Sequence, residues 1–231
     1  MKIYSVHFNR PDYAQMQYQI SQDLGHNLVI VNNGPSPEIH KFCAQNQIPE
    51  IPVKNQSIRS FSHAQAIHQL FKMCPESEDC GIIDHDIFLC KNIQFNDYDI
   101  ITWKQSRGAY NYFWPGFLFW KKHIPMKNIN FAPNGIGDTG ANTNSLYCNN
   151  QYKILEVAHK HILIDNSNQS LPTNGYTNFY SNNQLLAVHA INASNWHSKF
   201  SPRKELHIKH LVKDMRHSLK TETFKIDYDF I

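Results

Sequence analysis

The stretch Cys80-Gly81-Ile82-Ile83-Asp84-His85-Asp86-Ile87-Phe88-Leu89-Cys90 decides how the rest of the chain is read. A short run of β-branched residues opened by a glycine predicts a buried strand, and Asp84-His85-Asp86 stands where that strand ends. Two carboxylates one residue apart do not belong in a core, because a buried charge is costly unless it is paired or coordinates a metal. In an extended segment alternate side chains share a side, which would place Asp84 and Asp86 together. Hard oxygen donors of this kind suit Mg²⁺ or Mn²⁺, cations that commonly hold a substrate's diphosphate as well. Turns also produce Asp-x-Asp, so the triplet draws its weight from the strand before it and from its place in the chain.

That place is the end of a regular alternation. Lys2 to Phe8 reads as a first strand, broken by Asn9-Arg10-Pro11-Asp12, which opens a helix. Tyr13, Met16, Ile20 and Leu24 fall on one face of it, and Gly25 sits at the stop position. Leu28 to Val31 is a second strand, ended by the turn signal Asn32-Asn33-Gly34. Ser36 can cap a helix with Pro37 in its first position, and Ile39, Phe42 and Cys43 form its apolar face. Ile51 to Val53 is a short third strand. Ser62 is the expected cap of the next helix, which turns Ala66, Ile67, Leu70, Phe71 and Cys74 inward. Strands alternating with helices predict an α/β fold with a mainly parallel central sheet flanked by helices on both faces. Such sheets bind ligands at the carboxyl ends of their strands. His7 to Arg10, Asn32 to Gly34 and Asp84 to Asp86 all fall there.

The second half changes character. Asp99 to Trp103 reads as another strand, and Tyr110 to Trp120 is strongly aromatic. Asn134 to Asn150 is a Gly-, Asn- and Thr-rich loop, and Tyr152 to Ile164 mixes strand and helix signals. Ala187-Val188-His189 ends a short apolar run. Ser201-Pro202 opens a final helix carrying Leu206, Leu211, Met215 and Leu219. No linker or repeat interrupts the 231 residues, so the economical division is one domain over 1–231, with a nucleotide-like half (1–105) and an aromatic, loop-rich half (106–231).

Composition narrows the class. With 41% hydrophobic and 18% charged residues the chain is globular rather than disordered. Lys+Arg 22 against Asp+Glu 19 is too balanced to demand nucleic acid as a partner. Five cysteines without a C-x-x-C pair argue against a disulfide framework. No apolar run reaches the ~20 residues that span a bilayer. The expectation is a soluble, cytoplasmic protein. Lys199 to Lys220 concentrates basic residues, so the last helix offers a solvated face or a membrane-surface contact.

Three features together resemble the GT-A class of nucleotide-sugar glycosyltransferases, family 2-like members above all. They are a first strand ending in Phe8-Asn9-Arg10-Pro11, a second ending in Val31-Asn32-Asn33-Gly34, and Ile82-Ile83-Asp84-His85-Asp86. The resemblance covers residues 1 to about 105 and extends loosely beyond. It implies that Phe8, Asn9, Arg10, Asn32 and Asn33 hold the nucleoside, with Asp84 and His85 also at the donor. It implies that Asp84 and Asp86 hold Mn²⁺ or Mg²⁺ on the donor diphosphate, with His189 as a late histidine completing the metal site. It further implies an acceptor-side carboxylate, for which Gly137-Asp138-Thr139-Gly140 offers Asp138. Many relatives carry acidic residues where this chain has Asn32-Asn33; an amide can still both donate to and accept from a base edge. The expected activity is metal-dependent transfer of a sugar from a nucleoside-diphosphate sugar, a uridine one foremost, to a glycan, protein or lipid hydroxyl. The aromatic 112–120 stretch can supply a sugar-stacking wall. The alternatives are a sugar nucleotidyltransferase, disfavoured because His7-Phe8-Asn9-Arg10-Pro11 has no glycine, and a non-catalytic carbohydrate-binding module on the same fold.

Overall fold

The computed structural model describes residues 1–54, 59–149, 151–163, 175–190 and 202–221. The predicted alternation is present as β1 (Lys2–His7), α1 (Pro11–Asp23), β2 (Asn27–Asn33), α2 (Pro37–Asn46), β3 (Glu50–Val53), α3 (Arg59–Met73) and β4 (Cys80–Asp84). Then come β5 (Ile87–Leu89), β6 (Ile100–Arg107), β7 (Tyr110–Trp120), α4 (Asn144–Cys148), β8 (Ile154–Glu156), β9 (Ala158–Leu163), β10 (Gly175–Ser181), β11 (Gln184–His189) and α5 (Pro202–Thr221). Seven strands form the main sheet in the order β3-β2-β1-β4-β7-β6-β8. β1 runs parallel to β2 and β4, β2 to β3, and β6 to β8, while β7 is antiparallel to both its neighbours.

Alternation along β2 sorts its side chains between two cores. Leu28 and Ile30 pack with Tyr13, Ile20, Ile39 and Cys43 from α1 and α2; Val29 and Val31 pack with Ala66, Ile67, Leu70 and Phe71 from α3. Strands covered on both faces read as continuous apolar runs, which is why Leu28 to Val31 shows no polar alternation. α5 joins the α1 side through Ile208, Leu211, Val212 and Met215. Arg216 fastens it there, its Nε donating to Asp23 Oδ2 at 2.6 Å and its Nη1 to Gln19 Oε1 at 2.9 Å. Leu206, on the same helix, is exposed.

Ser36 caps α2 as the sequence predicts, its Oγ accepting from Ile39 N, with Pro37 in the first turn. Ser62 does not cap α3. That helix begins at Arg59, and Ser62 is buried inside it, bonded to Asn33. The aromatic stretch is one long strand, β7. Its pairing with β6 is irregular between Thr102 and Lys104, opposite Trp114-Pro115-Gly116. Proline has no N–H to give a ladder and is accommodated at such interruptions. The ambiguous 152–164 region resolves into β8 and β9; Ile164 lies outside the described residues.

A second, antiparallel sheet has the order β5-β11-β10-β9. The chain passes from the main sheet into this one through the two residues between β4 and β5, His85 and Asp86. They form a turn, so the extended geometry expected to put Asp84 and Asp86 on one side does not hold. The turn is pinned from three directions. His85 N donates to Val6 O at 3.0 Å, and Ala190 N donates to Asp86 O at 2.8 Å. From α1, Gln17 Nε2 donates to Asp84 O at 2.8 Å and to Ile87 O at 2.6 Å. The amide oxygen of Gln17 accepts from the Ser5 hydroxyl and from His7 Nε2, the latter at 2.9 Å. An amide oxygen can only accept, so the His7 proton sits on Nε2.

Two outcomes follow from this network. Gln17→Leu removes both donors from buried carbonyls and the acceptor from Ser5 and His7, and should lower stability by about 2–4 kcal/mol. Urea unfolding reads this, and a loss below about 0.5 kcal/mol would show that the network contributes little. His7 supplies a pH signature. Burial, reinforced by the neighbouring His85, lowers its pKa to about 3. The unfolded chain protonates in the ordinary imidazole range, so stability is full above that range and falls as pH drops toward the folded value. The loss between about pH 7 and about pH 5 should be about 2 kcal/mol. His26, lowered to about 4 by burial and the N-terminal charge, titrates in the same direction. His7→Gln should therefore flatten the pH slope without abolishing it; an unchanged slope would refute the assignment.

Candidate active site

The parallel register sets the ends of β1, β2 and β4 side by side: His7 lies opposite Asn32, and Val6 opposite Asp84. The polar loops after these strands therefore share one edge of the sheet, the edge at which such sheets bind ligands.

Two carboxylate–imidazole pairs occupy this edge. Asp84, last residue of β4, faces α3, where His63 Nε2 lies 2.9 Å from Asp84 Oδ1. The contact is not aligned as a hydrogen bond, and both atoms are buried without one. Burial opposes a charge on His63, yet Asp84, then Asp138 and Asp86, outweigh it and hold the imidazole above its usual range. Asp86 turns the other way, toward the second sheet, with His189 Nε2 3.5 Å from its Oδ1. Burial opposes its ionisation as well, but His189, then His85, keep the carboxyl well below the usual range. Asp84 is the more accessible of the two carboxylates, with 19% of its side chain exposed against 8% for Asp86.

The other expected donor residues are placed at the same edge but spend their polar groups internally. Asn32 accepts from Ser36 N at 3.0 Å and donates to Ser36 O and Glu50 Oε1, at 3.1 and 2.8 Å. Asn33 donates to Ser62 Oγ at 3.1 Å and accepts from the same hydroxyl. Neither amide is turned out toward a base. Arg10 is buried, forks onto Asp12 at 2.8 and 2.9 Å, and lies 3.6 Å over the Tyr13 ring. Asn9 is exposed in the left-handed region at φ 51°, and Phe8 is half-buried. His85 points into the α1 side, its ring 6.0 Å from His7 and 6.4 Å from Tyr13.

Asp138 comes from the loop after β7, and its charge helps to hold the His63 imidazole above its usual range. Its carboxylate is exposed, with Oδ1 accepting from Thr139 N at 2.8 Å. The loop is held on both sides. Thr143 Oγ1 accepts from Phe113 N at 2.8 Å and donates to Gly140 O at 2.7 Å. His68 Nε2, on α3, accepts from Phe131 N at 3.1 Å, and Gly140 N donates to Phe131 O at 2.8 Å. Gly140 itself stands at φ +98°, where a Cβ would overlap the Phe113 carbonyl oxygen.

Among the described residues no three His, Cys, Asp or Glu side chains are gathered into a cation cage. The donor set nevertheless suits a hard cation held largely by its substrate. Asp84 Oδ1 is a buried carboxylate oxygen without a hydrogen bond, and Mg²⁺-type ions commonly take one or two carboxylates and complete their shell with phosphate and water. Two residues important to this geometry did not stand out in the sequence. Gln17 is a polar residue within the apolar row of α1, between Tyr13 and Ile20, and that interruption is its signal. His63 precedes the inward row Ile67 and Leu70 by one and two helical turns, which is the signal that it too faces the sheet.

No protein-family model and no curated protein matches the sequence. Among solved structures the chain is similar to the glycosyltransferase GlyE of Streptococcus pneumoniae, with 9% identity over 96% of this chain and 63% of that one, at a TM-score of 0.50. The apo form of GlyE matches over 67% of this chain and 44% of that one, with 10% identity and a TM-score of 0.43. A candidate nucleotide-diphospho-sugar transferase of Desulfovibrio desulfuricans matches over 67% and 78%, with 16% identity and a TM-score of 0.36. The chain thus spans about 63% of the length of GlyE. What the first likeness establishes is the fold: a mixed α/β unit with a largely parallel sheet between helices, arranged as in GT-A-like domains.

Proposed function

We propose that the protein is a metal-dependent glycosyltransferase that takes a sugar from a nucleoside-diphosphate donor, UDP-linked in the first instance, to an acceptor hydroxyl. The observation that carries this reading is Asp84 at the carboxyl edge of the sheet, its Oδ1 buried without a hydrogen bond 2.9 Å from His63 Nε2. A nucleotidyltransferase would share the edge but gains no support from the first loop, where Arg10 is folded onto Asp12 and Tyr13.

In this reading Asp84 would hold Mn²⁺ or Mg²⁺ together with the donor's phosphates, and the Asp86–His189 pair would complete or support that holding. A bound cation supplies Lewis-acid neutralisation of the departing diphosphate. Asp138 takes the proton of the acceptor hydroxyl as its oxygen forms a bond to the anomeric carbon. The bond from that carbon to the diphosphate breaks, and its electron pair leaves with the nucleoside diphosphate. One displacement of this kind inverts the anomeric configuration.

No helix among the described residues is long and apolar enough to cross a membrane. Of the basic residues of α5, Arg216 is committed to Asp23, while Lys209 and Lys213 are exposed.

Calorimetric titration of UDP and GDP, with Mn²⁺ and with chelator, tests the donor side. Binding should require the cation, and Asp84→Asn should weaken it by about tenfold or more, an amount near 1.4 kcal/mol. Equal binding in chelator contradicts the metal role. Asp138→Asn should spare donor affinity while lowering turnover by about 10²–10⁴, the range of a lost general base. Near-normal turnover would make Asp138 a loop carboxylate and remove the argument for inversion.

A further inference from the structure

We propose that Cys74 and Cys80 are a peroxide-oxidisable pair, in which Cys74 takes the first oxidation and Cys80 resolves it to an intramolecular disulfide. The inference is independent of the glycosyl-transfer reading and concerns the opposite edge of the sheet.

The two cysteines bracket the short connection Cys74-Pro75-Glu76-Ser77-Glu78-Asp79-Cys80. Cys74 closes the last turn of α3, its N–H donating to Leu70 O at 3.0 Å. Cys80 opens β4 and lies opposite Lys2 of β1 and Trp120 of β7. Its side chain belongs to the core on the α3 side, with Tyr4, Leu70 and Phe71, and Cys74 packs against that same core. The two thiols touch there, and the Tyr4 hydroxyl reaches the same sulfur, so Cys80 and Tyr4 both donate to Cys74. Cys80 Sγ also has Glu78 O within 3.5 Å. Lys2 folds over the connection, its N–H donating to Asp79 O at 3.3 Å and its Nζ pairing with Glu78 at 2.9 Å.

This setting divides the work between the sulfurs. Cys74 is half-buried, whereas Cys80 is fully enclosed. Thiolates react, and a thiolate is favoured by donors and positive charge at a site a reagent can enter. The hydrogen bond from Cys80 does most to hold the Cys74 thiol below its usual range; burial opposes it, Tyr4 and the Lys2 charge assist, and Glu78 opposes. The contact with Cys74 and burial push the Cys80 thiol up. Burial likewise raises Cys43, to about 12, and Cys90, while Cys148 is exposed on α4. A small oxidant therefore meets an activated sulfur at Cys74, with a second sulfur already against it.

The chemistry balances with a hydroperoxide as the oxidant. The Cys74 sulfur attacks the outer peroxide oxygen, and the O–O bond breaks. The departing oxygen takes a proton and leaves as water or an alcohol, and Cys74 becomes a sulfenic acid. The Cys80 sulfur then attacks the Cys74 sulfur. The S–O bond breaks, and the hydroxyl leaves as water with the Cys80 proton. Two thiols have lost two electrons to one peroxide, and an external dithiol reverses the bridge. The bridge would join α3 to β4 at the ends away from His63 and Asp84.

The test treats the reduced wild-type chain with hydrogen peroxide and maps its peptides without reductant by mass spectrometry. A Cys74–Cys80 cross-linked peptide, lighter by two hydrogens than its reduced parts, should form and should disappear with dithiothreitol. In Cys80→Ala, dimedone should trap a sulfenic acid on Cys74; in Cys74→Ala, no adduct should form on Cys80. Thermal melting establishes that each variant is folded, and the wild-type map stands without them. Tyr4→Phe removes one donor and should slow iodoacetamide alkylation of Cys74 by about threefold or more relative to Cys148 in the same molecule. Both thiols kept while Cys148 oxidises, a bridge made to Cys148 instead, or dimedone capture on Cys80 overturns the proposal. An unchanged alkylation ratio in Tyr4→Phe overturns the activation of Cys74 by its donors, and with it the order of the two steps.

Discussion

The candidate site depends on a single buried amide. Gln17 reaches from α1 under the end of β4 and donates to the carbonyls of Asp84 and Ile87, the residues on either side of the turn. Those carbonyls stand where the chain leaves one sheet and enters another, so neither ladder can satisfy them. Buried backbone carbonyls must find partners, and here a side chain from a third element supplies them. The oxygen of the same amide is held by Ser5 and His7. The turn that orients Asp84 and Asp86 is therefore fixed by α1 and β1 together, and not by its own local sequence.

This arrangement turns the two aspartates in different directions. Asp84 keeps the alternation of β4 and faces α3 and His63; Asp86, beyond the turn, faces β11 and His189. The second pair is the more deeply buried, and the aromatic rings of Trp103, Trp114 and Phe179 close around its imidazole. A buried carboxylate held ionised by an imidazole costs less than an isolated one, and it locks the second sheet against the turn. Asp84 is left as the oxygen donor at the open edge, with Trp114 on one side across Gly116 and His63 on the other.

Much of the architecture was legible in the sequence. The β/α alternation, the cap at Ser36 and the strand ending at Asp84 follow from local patterns that tertiary context did not override. The turn at His85-Asp86 was not legible, because period-two reasoning assumes an extended chain and nothing local marks a change of sheet. Ser62 looked like a cap because caps and buried hydroxyls use the same residue type; its partner, Asn33, is distant in sequence. The roles of Asn32 and Asn33 were hidden for the same reason. Their residue types suit a base edge equally well, and only the packed structure turns them onto Ser36, Glu50 and Ser62. Long β7 was obscured by Pro115 and Gly116, which break a strand pattern locally and are accommodated at the interruption of the pairing with β6.

The most direct test of the central claim, that the pinned turn presents Asp84 to the cation and diphosphate of the donor, is anomalous diffraction at the manganese edge from crystals grown with Mn²⁺ and UDP. The account predicts one strong peak bonded to the Asp84 carboxylate and to phosphate oxygens, at the carboxyl edge of β4. A nucleotide bound with no anomalous peak at Asp84, or a peak held elsewhere on the chain, would contradict it.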